Sequence, residues 1–351
     1  MVIELETKVK ILDEENIDEN VIKQAGEIIK NGGLVAFPTE TVYGLGANGL
    51  DSRAVEKIFE AKGRPKDNPL ILHVSSVNEV ANLVQSIPKN AEKLMNVFWP
   101  GPLTIILRRS DLVPDIITGG LDKVSIRMPN NPIALKLIEL SQLPIAAPSA
   151  NTSGKPSPTL ASHVAEDLYG KVDLIIDGGD TGIGVESTVL DMSGDIPRIL
   201  RPGGITIEDL REYLPNIEAD LSIIKEGGIP LSPGQKYRHY APKAEMIVFN
   251  GELECIVREI NNRAKKLSRE GKKVGIMATE ESKDKYELGT IISVGTRVDK
   301  STIAHNLFNT IRLFDKENVD IILAEGMEST GIGMAIMNRL KKAASGNIIE
   351  V

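Results

Sequence analysis

Cysteine is almost missing from this sequence: among 351 residues only Cys255 occurs. A lone cysteine excludes an intrachain disulfide and any multi-cysteine zinc or iron–sulfur centre. Histidine is scarce as well, with four residues and no His-x-x-x-His or similar pairing, so a histidine metal cage has no basis. No apolar run approaches the ~18–20 residues of a membrane span. The opening stretch MVIELETKVKILDEENIDEN is too acidic and too interrupted for a signal peptide. These absences describe a reduced protein of cytoplasmic type with no membrane partner. An excess of positive charge is also lacking: 41 Lys+Arg against 49 Asp+Glu leaves −8. That balance speaks against wholesale wrapping of nucleic acid, although a local basic pocket is compatible with it. What is present is ordinary for a globular chain, with 41% hydrophobic and 26% charged positions. At roughly 100–200 residues per domain the length suggests two domains.

Helical spacing of Val21, Ala25, Ile28 and Ile29, stopped by Asn31-Gly32-Gly33, predicts a helix over 20–30. A strand at 34–37, a loop from Pro38 to Gly46 and a helix over 52–62 ended by Gly63 and Pro65 follow. Further apolar strands are expected at 70–74, 103–107, 124–127, 145–147, 174–177, 187–191 and 198–201, with a helix near 91–98. Strands outnumber helices, which predicts a mixed, twisted α/β domain to about residue 210. Between 214 and 243 periodicity fails and turn formers accumulate, the mark of a linker. Two tyrosines, an arginine and a histidine within that stretch suggest that it docks onto something rather than acting as a passive tether. Beyond it, strands at 246–249, 274–277, 290–293 and 321–324 alternate with helices at 252–269, 302–314 and 334–344. That alternation predicts a smaller parallel α/β domain of Rossmann-like topology. It carries no G-x-G-x-x-G or Walker A sequence, so nothing in it announces a nucleotide site.

Four constellations could carry chemistry. Lys62, Arg64 and Lys66 crowd a stiffened Gly- and Pro-containing turn, suited to oligophosphate through an arginine fork and mobile lysine charges, or simply a solvated turn. The run Ala147-Pro148-Ser149-Ala150-Asn151-Thr152-Ser153 empties a buried strand into hydroxyl and amide donors, which fits an anion site and equally a capped turn. Glu186-Ser187-Thr188 follows a Gly-rich stretch, and Arg201 stands at a strand end before Gly203-Gly204, where a cleft or a surface salt bridge would each suit it. His73 sits in an apolar strand, the usual place of a core histidine, and Cys255 on a helix is more often packed than nucleophilic. No Ser-His-Asp order or paired carboxylates emerge. The chemistry is therefore expected to rest on positioning and charge stabilisation.

Taken together, FPTETVYGLGA (37–47), KGRPKDNPL (62–70), WPGPLT (99–104), SIRMP (125–129), APSANTSGKPSPT (147–159), ESTV (186–189) and RPGG (201–204) resemble the YrdC-like family. SPGQKYRHYAP (232–242) resembles the linker of its long, two-domain L-threonylcarbamoyladenylate synthases. The resemblance covers essentially the whole chain. It implies an N-terminal YrdC-like twisted open α/β sheet around a large cationic cavity (14–210), a linker covering the active site (211–243), and a smaller C-terminal Rossmann-like domain (244–351). It further implies a nucleotidyltransferase that forms threonylcarbamoyl-AMP and pyrophosphate from L-threonine, bicarbonate or CO2, and ATP with Mg2+. The product would pass to the transferase machinery that builds threonylcarbamoyladenosine at tRNA position 37, with no tRNA binding implied by charge. By the same resemblance Lys62 and Arg64 are the catalytic cations on the ATP phosphates. Asn68, Ser149, Asn151, Ser157, Arg201 and Tyr240 complete the ATP site. Thr41, His73, Arg127, Ser187 and the backbone of Ala147 hold threonine, and no protein side chain is assigned to metal. Lys123 departs from relatives that carry threonine four residues before the arginine of the SIRMP string. The alternative reading is a double-stranded RNA-binding module, opposed by the net charge and by the lack of interleaved basic and aromatic residues.

Overall fold

A computed structural model describes residues 5–221, 230 and 239–351. The chain divides into two compact units. The first comprises Met1–Ser153, Ser157–Gly182 and Glu186–Tyr237, the second Gly154–Pro156, Ile183–Val185 and Arg238–Val351.

Among the described residues, eleven short strands build the first unit. They are β1 (Lys8–Ile11), β2 (Val35–Phe37), β3 (Gly44–Asn48), β4 (Ile71–His73), β5 (Leu103–Arg108), β6 (Lys123–Arg127), β7 (Ile145–Ala146), β8 (Leu174–Asp177), β9 (Thr188–Asp191), β10 (Arg198–Arg201) and β11 (Glu218–Ala219). The sheet runs β1-β8-β2-β3-β7-β4-β6-β5-β9-β10-β11 and mixes parallel with antiparallel pairs. Two of the differences from the sequence expectation bear on the site. The expected loop after Pro38 turns back at Gly44 as β3, antiparallel to β2, because Phe37 pairs with Gly44 and Val35 with Gly46. β11 lies inside the stretch 211–243 and adds a parallel edge to β10; its two residues are too few to show a period of two.

Helices cover the sheet where their apolar stripes fit. Glu19–Lys30 is capped by the Asp18 carboxylate and buries Ile22, Ala25, Gly26 and Ile29. That stripe meets Leu137 and Ile138 of the helix Pro132–Ser141 and Val35, Phe37, Leu174 and Ile176 of the sheet in one core. Ser52–Lys62, capped by Asp51, ends at Gly63, whose φ of +61° takes the left-handed region that favours glycine. Gly63 and Arg64 donate back to Glu60 O and Phe59 O, the Schellman closure.

The second unit is a five-stranded, wholly parallel sheet: β12 (Glu245–Asn250), β13 (Val274–Ala278), β14 (Thr290–Ser293), β15 (Ile321–Glu325) and β16 (Ile348–Glu350). Its order is β14-β13-β15-β12-β16, so the expected Rossmann-like layering is present. The first and fourth strands exchange places relative to the usual dinucleotide-binding order. The helix Leu253–Arg269 packs Ile256, Ile260 and Ala264 on this sheet. No described helix is long and apolar enough to cross a membrane.

Candidate active site

Lys62 is the last residue of its helix and is nearly fully buried. Its Nζ donates to Ser149 O and Asn151 O, each at 2.5 Å, and lies 3.4 Å from Asn151 Oδ1, which also accepts from Ser149 Oγ at 2.6 Å. The Ser149–Asn151 loop is pinned in turn, with Ala150 N on Tyr43 O, Leu45 N on Pro148 O and Ser153 N on Lys62 O. The turn of one strand-loop thereby holds the lysine of another element. Past Gly63 the Arg64 guanidinium folds inward onto Pro69 O (3.0 Å) and Asn68 O (3.4 Å). The Oδ1 of buried Asn68 has no hydrogen-bond partner. The three cations of this sequence cluster do not converge, because Lys66 turns outward to Glu56 and stays exposed.

A second group lies along one row of the sheet. Register pairs His73 of β4 with Arg127 of β6, Arg127 with Thr104 of β5, Thr104 with Val189 of β9, and Val189 with Arg201 of β10. Directly paired residues share a face, so five strands present Arg201, Thr104, Arg127 and His73 together. Ser187, two residues before Val189, joins them: its Oγ is 2.8 Å from Thr104 Oγ1 and accepts from Arg201 Nη2 at 3.1 Å, while Arg201 Nε donates to Ser187 O. Arg127 Nη2 donates to Thr41 Oγ1 at 2.9 Å and lies 2.7 Å from Glu40 Oε2. Arg127 Nε is buried without a partner. Burial, then the Arg127 charge, pulls the His73 pKa from 6.5 down to about 3, so the ring is neutral at physiological pH. Its Nδ1 lies 3.2 Å from Ile71 O, a contact in which the ring nitrogen donates. The Ala147 amide caps the same strand by donating to Ile71 O.

Ser157 Oγ donates to Glu186 Oε1 at 2.5 Å. Close beside that carboxylate the chain packs backbone on backbone, since a Cβ on Gly203 would stand 2.3 Å from Glu186 O and Thr188 N. Lys123, the departure noted in the sequence, is ion-paired with Asp191 at 3.0 Å and is anchored by that carboxylate. Tyr240 belongs to the second unit, where its ring stacks on Phe308 with centroids 5.1 Å apart and Arg339 lies over it. Most of the linker string 232–242 lies outside the described residues. Among the described residues no three His, Cys, Asp or Glu come together as a metal centre requires.

Glu40, Thr104 and Glu186 touch expected site residues but were not among them. Each stands within a string already singled out, FPTETVYGLGA, WPGPLT or ESTV, yet no spacing rule separates them from neighbours that merely pack.

Comparison with known proteins identifies the family. Residues 27–203 match the Sua5/YciO/YrdC family model, described as telomere recombination, and residues 205–345 match the threonylcarbamoyl-AMP synthase C-terminal domain. A Pyrococcus abyssi protein named threonylcarbamoyl-AMP synthase is 52% identical over 96% of this chain and 98% of its own length. A Bacillus subtilis protein of the same name is 48% identical over 97% and 98%. The crystal structure of P. abyssi Sua5 complexed with L-threonine superposes with a TM-score of 0.93 at 51% identity, covering 98% of this chain and 99% of that one. With both units matched and about half of its residues identical to such full-length relatives, the chain belongs to the threonylcarbamoyl-AMP synthase family in its long, two-domain form.

Proposed function

We infer that this protein is a threonylcarbamoyl-AMP synthase, a nucleotidyltransferase acting on L-threonine. The observation that carries the reading is the row across β10, β9, β5, β6 and β4, which sets two buried arginines, two hydroxyls and a neutral histidine on one face. Such a surface can receive an amino acid at one end and polyphosphate at the other. Close identity to full-length relatives of that name supports it. The substrates are ATP, L-threonine and bicarbonate or CO2, and the products threonylcarbamoyl-AMP and pyrophosphate.

Arg127 takes the threonine carboxylate, with the unpartnered Nε offering one tooth of the guanidinium fork. Thr41, Ser187, the Ala147 backbone and His73 surround the same substrate. Because His73 is neutral it adds no competing charge there. Lys62, Arg64 and Arg201 meet the phosphates of ATP, while Ser149, Asn151, Ser157, Tyr240 and the free Asn68 Oδ1 contact the nucleotide. Threonine first gives up an ammonium proton to solvent; its nitrogen then joins CO2 and releases a second proton, leaving the carbamate anion. An oxygen of that carbamate attacks the α-phosphorus in line and expels pyrophosphate. The buried cations stabilise the charge that builds on the phosphate oxygens, and a covered site protects the carbamate from water. Mg2+ would come with ATP, held chiefly by phosphate oxygens, and would neutralise phosphate charge beside the cations, hydroxyls and amides assigned to the nucleotide. The product then goes to the enzyme that places threonylcarbamoyl on adenosine 37 of tRNA, in the cytoplasm. The RNA-module reading is the weaker one, given the net charge of −8.

Incubation with ATP, Mg2+, bicarbonate and L-threonine, read by mass spectrometry, tests the reaction. Threonylcarbamoyl-AMP matched by pyrophosphate, and lost when threonine or bicarbonate is omitted, is the expected result. ATP turnover indifferent to threonine would overturn it.

A further inference from the structure

Glu40 lies between Thr39 and Thr41 in the loop joining β2 to β3, and its side chain is largely covered. Both carboxylate oxygens are buried and neither has a hydrogen-bond partner, although Arg127 Nη2 stands 2.7 Å from one of them, out of hydrogen-bond alignment. The neighbouring hydroxyls are committed elsewhere: Thr39 Oγ1 donates to Val42 O at 2.6 Å, and Thr41 Oγ1 accepts from Arg127. A buried ion pair that served structure alone would fill its remaining lone pairs and protons with hydrogen bonds, because each one left empty is costly. Here both members keep unused capacity: Glu40 Oε1 and Arg127 Nε have no hydrogen-bond partner, and Glu40 Oε2 has only the misaligned ion-pair contact with Arg127. They are opposite in kind, acceptors on one side and a donor on the other. A free α-amino acid is a zwitterion with a matching pair of groups on one carbon.

We propose that Glu40 and Arg127 together form a zwitterion receptor, in which Glu40 binds the α-ammonium of threonine while Arg127 Nε binds its carboxylate. This rests on the threonine-site reading above and deepens it. The receptor distinguishes substrate from the next intermediate by charge. The ammonium is attracted to Glu40, but once nitrogen carries CO2 as a carbamate the same place holds an anion facing an anion. Glu40 therefore selects the free amino acid and favours departure of the carboxylated nitrogen toward the cationic side of the site. Its loss raises the KM for threonine more than it lowers turnover.

The test is calorimetric titration of the full chain and its Glu40→Gln and Glu40→Asp variants with two ligands. One is L-threonine; the other is 2,3-dihydroxybutanoate, which keeps the carboxylate and β-hydroxyl but has hydroxyl in place of ammonium. Glu40→Gln should weaken threonine about 10- to 100-fold, the range for one hydrogen bond to a charged group, and leave dihydroxybutanoate within about twofold. Glu40→Asp, which keeps the charge, should recover part of the threonine affinity and also serves if Glu40→Gln does not fold. Equal weakening of both ligands would mean that Glu40 only positions Arg127, and unchanged threonine binding would mean no role; either overturns the proposal. Retention of threonine binding by Arg127→Gln would instead overturn the threonine-site reading beneath it.

Discussion

Lys62 and Arg64 flank one glycine, yet the fold sends them to different partners, the lysine to the Ser149–Asn151 loop and the arginine to the Asn68–Pro69 backbone. Both are held before any substrate arrives, which is what electrostatic preorganisation requires. Arg64→Ala should therefore lower turnover by on the order of 10²–10³, the loss expected for one strong donor to developing charge. Single-turnover kinetics reads this, and an unchanged rate removes Arg64 from the chemistry. His73 gives a prediction of a different kind. Its folded pKa of about 3 lies below the ordinary 6.5, so as pH falls the unfolded chain binds the proton first. The stability contribution is whole above pH 6.5 and is lost progressively toward pH 3. At pH 5 that loss is about 2 kcal/mol, taking 1.36 kcal/mol per unit. His73→Gln should flatten this limb, measured as the difference in urea midpoint between pH 7 and pH 5; an equal acid loss in variant and parent would refute it.

Elements meet at glycines where backbone approaches backbone. The Gly203 turn rests against the Glu186–Thr188 backbone with no room for a methyl group, which explains why an RPGG string follows a strand that ends in Arg201. Gly203→Ala must push β9 and β10 apart locally, at about 1–3 kcal/mol, the usual cost of overpacking. It should also raise the KM for ATP, because Arg201 ends β10 and is held by Ser187, just before β9. A denaturant titration beside an ATP saturation curve checks both, and wild-type values would show that the turn can yield. Gly63 differs, since its Cβ position is open and only its positive φ matters. Gly63→Ala should cost about 1 kcal/mol with the helix before it intact by circular dichroism.

Across the whole molecule the charge is −8, while Lys62, Arg64, Arg127 and Arg201 are buried in one unit. The attraction for polyphosphate proposed above is therefore local. Duplex RNA should show little affinity at physiological salt, and a steep loss of RNA binding with added salt would instead favour the RNA-module reading. Tyr240 comes from the second unit. If it serves the nucleotide as inferred, Tyr240→Ala should impair synthesis with both units still folded by thermal melt; full activity of that variant would refute its role.

Much of the secondary structure was legible along the chain. The helix Ser52–Lys62 and the strands Leu174–Asp177, Arg198–Arg201 and Thr290–Ser293 fall on the expected residues, because caps, glycines and apolar runs are local signals. β1 was not foreseen: Lys8-Val9-Lys10-Ile11 does alternate polar with apolar, but the run is only four residues long, all exposed, and its pairing with β8 is set far away in sequence. The family strings marked Lys62, Arg127 and Arg201 as candidate site residues, and the fold buries all three. What the chain alone did not reveal is the pairing of His73, Arg127, Thr104 and Arg201 in one row. That row depends on the register of strands far apart in sequence. Glu40 was hidden for the same reason. An exposed glutamate and one buried beside Arg127 with an oxygen left unbonded are the same letter, and only tertiary packing, by removing water from Glu40 and Arg127 together, makes the second a binding group.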